Sequence, residues 1–269
     1  MLIAVAESSG LGPVASVAGD RPAELLDLVR ERPSTHVVLL TPRHAEIAMR
    51  EQAHVAIAGL PGLRVYVAAF DHHVLTLTLL GNQLAELEGK ADGWSEPGEA
   101  VQLLRQAAAN ARSVLWYPRA RRSGSTEPTI GQRLASVFGA PGFLAELGVP
   151  GLVWARSGLT TRPDEVWCSA GNPPPTLVSQ LGTTRCSPVP VTSTGGRPYA
   201  ARGAVELTGL LWPGRAPLAL APCPSCSAAL STDGCAYCGT GPRARFTTDS
   251  TGRRGRVDGR TPPGESDAA

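Results

Sequence analysis

Short apolar runs alternate with longer amphipathic stretches through the first 120 residues. Leu2–Ala6 is apolar throughout, as a buried strand is. Asp20 and Pro22 supply a helix start, and Leu25, Leu28 and Val29 share one helical face after it. Val37–Leu40 predicts a second strand and Ile47–Ile57 the helix that follows. The turn Pro61-Gly62 leads to a third strand, Val65–Phe70. Val74, Leu77, Leu80, Leu84 and Leu87 then recur at helical spacing. A second helix over 99–112 returns the chain to strand Val114–Tyr117. Strands that alternate with helices imply parallel pairing through right-handed crossovers. The expected fold class is therefore α/β, with a Rossmann-like, mostly parallel sheet over residues 1–150.

Beyond residue 120 the period changes. Arg119–Pro128 is polar and basic and reads as a loop. Ile130–Leu147 carries a helical pattern broken near Gly139–Gly142. Short strand patterns follow at Leu152–Ala155, Val166–Ser169 and Val189–Thr192. Val205–Trp212 and Pro217–Ala221 flank Pro213-Gly214-Arg215 and predict a hairpin. Residues 151–221 thus form a β-rich extension of the main sheet or a small subdomain. From 242 to 269 the chain is rich in Gly, Arg, Asp, Thr and Pro, a composition expected to stay disordered.

Composition narrows the function classes. The net charge of +2 is too weak to draw the whole molecule onto nucleic acid or a membrane. Basic residues number 25, and Lys90 is the single lysine, which reads as coding bias. Met1–Ala6 lacks a basic segment before it and Glu7 interrupts the apolar run, so no signal peptide is expected. No apolar stretch reaches the roughly 20 residues that span a bilayer. A cytoplasmic protein with reduced thiols is the expectation, with no membrane partner.

Four cysteines carry the strongest chemistry. Cys223-Pro-Ser-Cys226 and Cys235-Ala-Tyr-Cys238 are two Cys-x-x-Cys knuckles with eight residues between them. Two such turns bring four thiolates around one ion and leave no open position for catalytic water. Pro224 stiffens the first knuckle, Gly239 follows the second, and Ser227 stands where a glycine would help most. The stretch 223–239 resembles the short zinc-ribbon family, which implies structural Zn2+ held by Cys223, Cys226, Cys235 and Cys238, with ribbon residues 222–241. The competing reading of the same thiols is a pair of redox disulfides. Tyr237, Arg243, Arg245 and Phe246 offer a surface for a nucleic-acid base and phosphates; the plainer reading packs Tyr237 on its own hairpin. Cys168 and Cys186 stand alone and read as inert thiols.

A second candidate site lies where the predicted strands end, since open α/β sheets bind ligands beyond the carboxyl ends of their strands. Glu7, Ser8, Ser9 and Gly10 follow the first strand, and Thr41, Arg43 and His44 the second. Asp71, His72 and His73 follow the third, and Arg119, Arg121 and Arg122 the fourth. Arginines there suit a phosphate or carboxylate, and histidines suit proton transfer. Polar strand ends are also common to every α/β protein. Asp71-His72-His73 resembles the signature of DHH-type phosphoesterases, which implies two metal ions held with further aspartates at neighbouring strand ends; Glu7 and Thr41 stand at those positions here. The chain contains no dinucleotide fingerprint, P-loop, Gly-x-Ser-x-Gly elbow or His-Glu-x-x-His helix.

These features point first to a non-enzymatic binding or assembly protein. Its α/β body would recognise a protein partner or a small anionic ligand, and its ribbon would extend that surface. An enzyme acting on a nucleotide or phosphoester at the strand ends is the first alternative. Nucleic-acid binding through ribbon and tail is the second.

Overall fold

The computed structural model describes residues 2–6, 14–18, 21, 23–88, 90, 94, 97–120, 128–138, 142–147, 153–154, 166–169, 177, 186–189, 204–210, 221–227, 235 and 237–238. The first sheet has four strands: β1 (Leu2–Ala6), β2 (Ala15–Val17), β3 (His36–Pro42) and β4 (Arg64–Phe70). Their order is β2-β1-β3-β4, and every pairing is parallel. Helices α1 (Glu24–Glu31) and α2 (Glu46–Gly59) connect β2 to β3 and β3 to β4, α3 (Val74–Leu87) and α4 (Pro97–Asn110) follow β4, and the two pairs cover opposite faces.

Continuous apolar strands suit a sheet covered on both sides. Successive side chains point to opposite faces. Ile3, Val5, Val38, Leu40, Tyr66 and Ala68 face α3 and α4, together with Leu77, Leu80, Leu84, Val101 and Leu104. Leu2, Ala4, Val37, Leu39, Val65 and Val67 pack on the other face against Leu25, Val29, Met49, Ala53 and Ala56 of α1 and α2. The α/β class with its parallel sheet and β-rich continuation stands as expected. The short strand β2, parallel to β1, has no counterpart in the sequence reading: three residues are too few to show a period. The predicted helix start at Asp20 and Pro22 lies outside the described residues.

One strand is placed differently. β5 (Arg112–Tyr117) was expected as the fourth strand of the parallel sheet, and it belongs to a second sheet instead. That sheet also contains β6 (Phe143–Glu146), β7 (Val153–Trp154), β8 (Val166–Cys168), β9 (Cys186–Pro188) and β10 (Val205–Gly209), in the order β7-β6-β5-β10-β8-β9. All its pairings are antiparallel except β8–β9. The chain before residue 150 therefore contributes to both sheets. Two consecutive helices, α3 and α4, cover one face of the first sheet, so the chain leaves α4 without crossing back to pair with β4. Helix α5 (Ile130–Val137) is one part of the helix predicted over 130–147; its remainder holds strand β6. The second arm of the predicted hairpin lies largely outside the described residues, as does the tail 242–269.

A buried carboxylate links the two sheets. Along β10, Val205 and Leu207 enter the apolar cluster of the second sheet, so Glu206 and Thr208 face the other way. Glu206 is fully buried and takes up the amino terminus of α3. Its Oε2 accepts from the Leu75 amide at 2.9 Å, and its Oε1 accepts from the Thr76 amide at 3.0 Å and the Thr76 hydroxyl at 2.7 Å. Thr76 and Thr208 hydroxyls lie 2.8 Å apart. Free amides and the helix dipole make that end of a helix a natural seat for an anion. Glu206→Ala would leave these buried donors without an acceptor. It is expected to cost about 3 kcal/mol or more, and Glu206→Gln less, as measured by urea unfolding.

Candidate functional site

The carboxyl ends of β3 and β4 are adjacent because the strands pair in parallel, with Pro42 opposite Phe70. Beyond them lies a cleft of about 550 Å³ whose floor is Val67, Ala69, Phe70, Ala108 and Ala109. Its polar rim comes from Arg43, Asp71 and His72 at the strand ends, Glu46 and Arg50 on α2, and Arg105 on α4. The volume is that of a small-molecule pocket. Arg43 Nε donates to Asp71 Oδ1 at 2.8 Å, and Arg50 reaches Glu46 at 2.9 Å one helical turn away. Three arginines thus stand against two carboxylates around the cleft.

Of the residues expected here, Arg43, Asp71 and His72 come together. His73 is the residue that begins α3, and it sits close enough to Glu206 and His44 to feel both charges. Thr41 is buried within β3, where its hydroxyl donates to the Pro42 carbonyl at 3.1 Å, so it does not line the cleft. Arg119 does not line it either. β5 begins beside His72, which hydrogen-bonds the backbone at Ala111, and then runs away from this edge in the second sheet. Ser8 and Ser9 lie outside the described residues. Arg50, Arg105 and Glu46 were missed because they lie on helix faces far from any strand end in sequence. Glu206 was missed too, although a carboxylate within the apolar run Val205–Leu211 is a readable signal.

Among the described residues no further metal-binding carboxylate joins the Asp71-His72-His73 triplet, and Glu7 lies outside them. Among the described residues, the four cysteines are the one group of three or more His, Cys, Asp or Glu side chains placed to share an ion. Their ligand atoms all lie within 4.8 Å of one another. Cys223 and Cys238 sulfurs are 3.7 Å apart, and those of Cys226 and Cys235 are 3.5 Å apart. A disulfide needs about 2.05 Å. Four thiolates at about 2.3 Å from a tetrahedral ion would be separated by about 3.8 Å, so the cluster fits such an ion. The Ser225 amide, then that of Cys226, hydrogen-bonds Cys223 sulfur and holds its thiol below the usual value, as a metal ligand requires. Ser227 adopts φ 61°, the left-handed geometry that glycine takes without strain, and its amide donates to the Cys223 carbonyl at 2.8 Å.

This cluster is built into the α/β body. Cys223 and Cys235 belong to the same apolar core as α3, α4 and β4. The Tyr237 ring packs on Tyr66 at 5.6 Å, and the Arg64 guanidinium lies 5.9 Å from the Tyr237 ring centre. Tyr237 is therefore committed to the body, beyond its own turn. Arg243, Arg245 and Phe246 lie outside the described residues. Tyr66, which meets Tyr237, lies in the first half of β4, whereas Asp71 and His72 on the rim of the cleft follow its last residue.

Comparisons with known proteins add the fold. The sequence matches no family model, and no curated protein matches it. Solved structures of DegV-family proteins do resemble it. One from Corynebacterium glutamicum has a TM-score of 0.51 at 10% identity, over 80% of this chain and 98% of its own. A second, from Eubacterium eligens and loaded with heptadecanoic acid, has 0.52 at 11% identity, over 78% and 99%. A third, a DegV lipid-binding protein from Thermotoga maritima, has 0.51 at 10% identity, over 78% and 98%. At such identity the likeness is one of fold. No helix among the described residues is long and apolar enough to cross a membrane.

Burial holds the imidazoles of His72 and His73 below their ordinary value near 6.5, while the charge of Glu206 opposes the shift. Unfolded histidines then take up protons at a higher pH than folded ones. Below about 6.5 the unfolded state binds more protons, and stability falls as pH falls. Urea midpoints are expected to be lower at pH 5.5 than at pH 7.5, and replacing both histidines by Gln should narrow that gap.

Proposed function

We propose that this protein is a non-enzymatic, cytoplasmic binding protein for a small amphiphile with an anionic headgroup, of the fatty-acid class. The observation that carries this reading is the cleft at the ends of β3 and β4. Arg43, Arg50 and Arg105 outnumber the carboxylates at its rim, and its floor is apolar. Guanidinium groups meet a carboxylate through charge-assisted hydrogen bonds, and an alkyl chain gains from the apolar floor. The heptadecanoic acid in the Eubacterium eligens protein and the lipid named for that of Thermotoga maritima support the same ligand class for this fold.

The cysteine cluster has a separate role in this reading. A structural zinc ion held by Cys223, Cys226, Cys235 and Cys238 joins the C-terminal segment to the body, as the resemblance to short zinc ribbons implies. Four sulfur ligands close the coordination sphere, so the ion supplies folding energy and no chemistry.

The ligand is tested by calorimetric titration of the full chain with heptadecanoate and other long-chain fatty acids. Saturable binding is expected. Arg50→Glu with Arg105→Glu should weaken it by about tenfold or more. Absent binding, or binding indifferent to those changes, would overturn the reading; so would phosphoester or nucleotide turnover that His72→Ala abolishes. The metal is tested by elemental analysis, with about one zinc per chain expected. Cys226→Ser should release it and lower the stability of the whole α/β body by roughly 3 kcal/mol or more, because two ligands sit in the main core. Stoichiometric zinc retained in that variant would contradict the assignment.

A further inference from the structure

Helix α5 is turned the opposite way from an ordinary surface helix, which packs its apolar stripe inward and shows its polar face to water. Here the polar face is the attached one. Gln132 is buried; its Oε1 accepts from the Thr129 amide, and its own amide donates to Thr129 Oγ1. Ser136 donates to the Gln132 carbonyl and accepts from the Ala120 amide at 2.7 Å. Ile130, Leu134 and Phe138 recur every four residues, share the outward face, and are 79%, 58% and 84% exposed. They are three of the five large apolar side chains that stand exposed among the described residues, so the exposure is concentrated.

Arginines lie on and next to the helix that carries this ridge. Arg133 is exposed on the same helix, and exposed Arg119 directly precedes the residue hydrogen-bonded to Ser136. Over positions 119–138 the sequence holds four arginines (119, 121, 122 and 133) against Glu127, a sum of +3. The whole chain carries +2, so the remaining residues sum to −1. The whole-chain value, which argued against a membrane partner, averages this concentration away.

We propose that α5 is a peripheral docking surface for an anionic lipid bilayer. The ridge of Ile130, Leu134 and Phe138 enters the boundary between headgroups and acyl chains, and Arg119 and Arg133 meet lipid phosphates. The contact lies on the surface and spans nothing. A second copy of the chain is the poorer occupant, because a two-fold pairing of ridges brings like charges from both copies together. A peptide partner is poorer too, since a ridge on one short helix presents no groove to receive it. The proposal does not depend on the ligand assigned to the cleft.

Sedimentation of the full chain with vesicles tests it, using phosphatidylcholine alone and phosphatidylcholine with about one-third phosphatidylglycerol. Partition onto the anionic vesicles is expected, weakening as salt is raised. Leu134→Ser and Phe138→Ser should each lower it by about tenfold while the circular dichroism and melting temperature are retained. Ile130→Ser serves the same purpose should either variant misfold. Arg119→Glu with Arg133→Glu should remove the preference for anionic vesicles. Three results would overturn the proposal. The first is no partition onto anionic vesicles, including the case where an acidic polypeptide binds instead. The second is unchanged partition of a folded Phe138→Ser protein. The third is a solution dimer that Phe138→Ser converts to monomer, which would assign the ridge to self-association.

Discussion

A buried carboxylate ties the second sheet to the first. Glu206 comes from the second sheet and completes the hydrogen bonding of a helix that belongs to the first. An ionised side chain is costly to remove from water unless donors surround it. Two backbone amides and the Thr76 hydroxyl meet that need, and the positive end of α3 adds to it. The same contact decides where His73 and His72 sit, because both lie in the turn that leads into α3. An interface with one deep polar anchor is more specific in register than one made of apolar contacts alone, since a slip of one residue on β10 would turn Glu206 into the apolar cluster of Val205 and Leu207.

The parallel sheet is used at both ends. At the carboxyl ends of β3 and β4, chain direction alone gathers polar loop residues beside a shallow apolar floor. At the starting end of β4, Tyr66 receives Tyr237 and the cysteine cluster against the same core that α3 and α4 build. A short metal-binding segment usually stands by itself because it has no core of its own. Here two of the four clustered cysteines are core residues of the larger body.

Much of this was legible in the sequence, and the failures have physical causes. Helices α2, α3 and α4 and strands β1, β3 and β4 follow from periodicity because each buries a regular set of side chains on a neighbour close in sequence. The cysteine cluster follows from spacing, because a Cys-x-x-Cys turn closes on itself whatever surrounds it. Even the strain at Ser227 was readable, from a serine standing where the ribbon pattern carries glycine. β5 was assigned to the wrong sheet. Its alternation of Val114 and Trp116 with Leu115 and Tyr117 announces a strand with two buried faces, and it says nothing about which strand lies beside it.

Local chemistry was therefore settled by the sequence itself: which segments are helical or extended, which thiols can share an ion, and which loops carry Arg43, Asp71 and His72. Tertiary structure alone decided the long-range pairings. β5 joined β10 across about ninety residues, Glu206 found α3 across 131 residues from Leu75, and Arg119 was carried away from the cleft that Arg50 and Arg105 entered instead. The physical reason is that periodicity records only whether a residue is buried. The partner it is buried against depends on how the whole chain packs, and no local pattern encodes that choice.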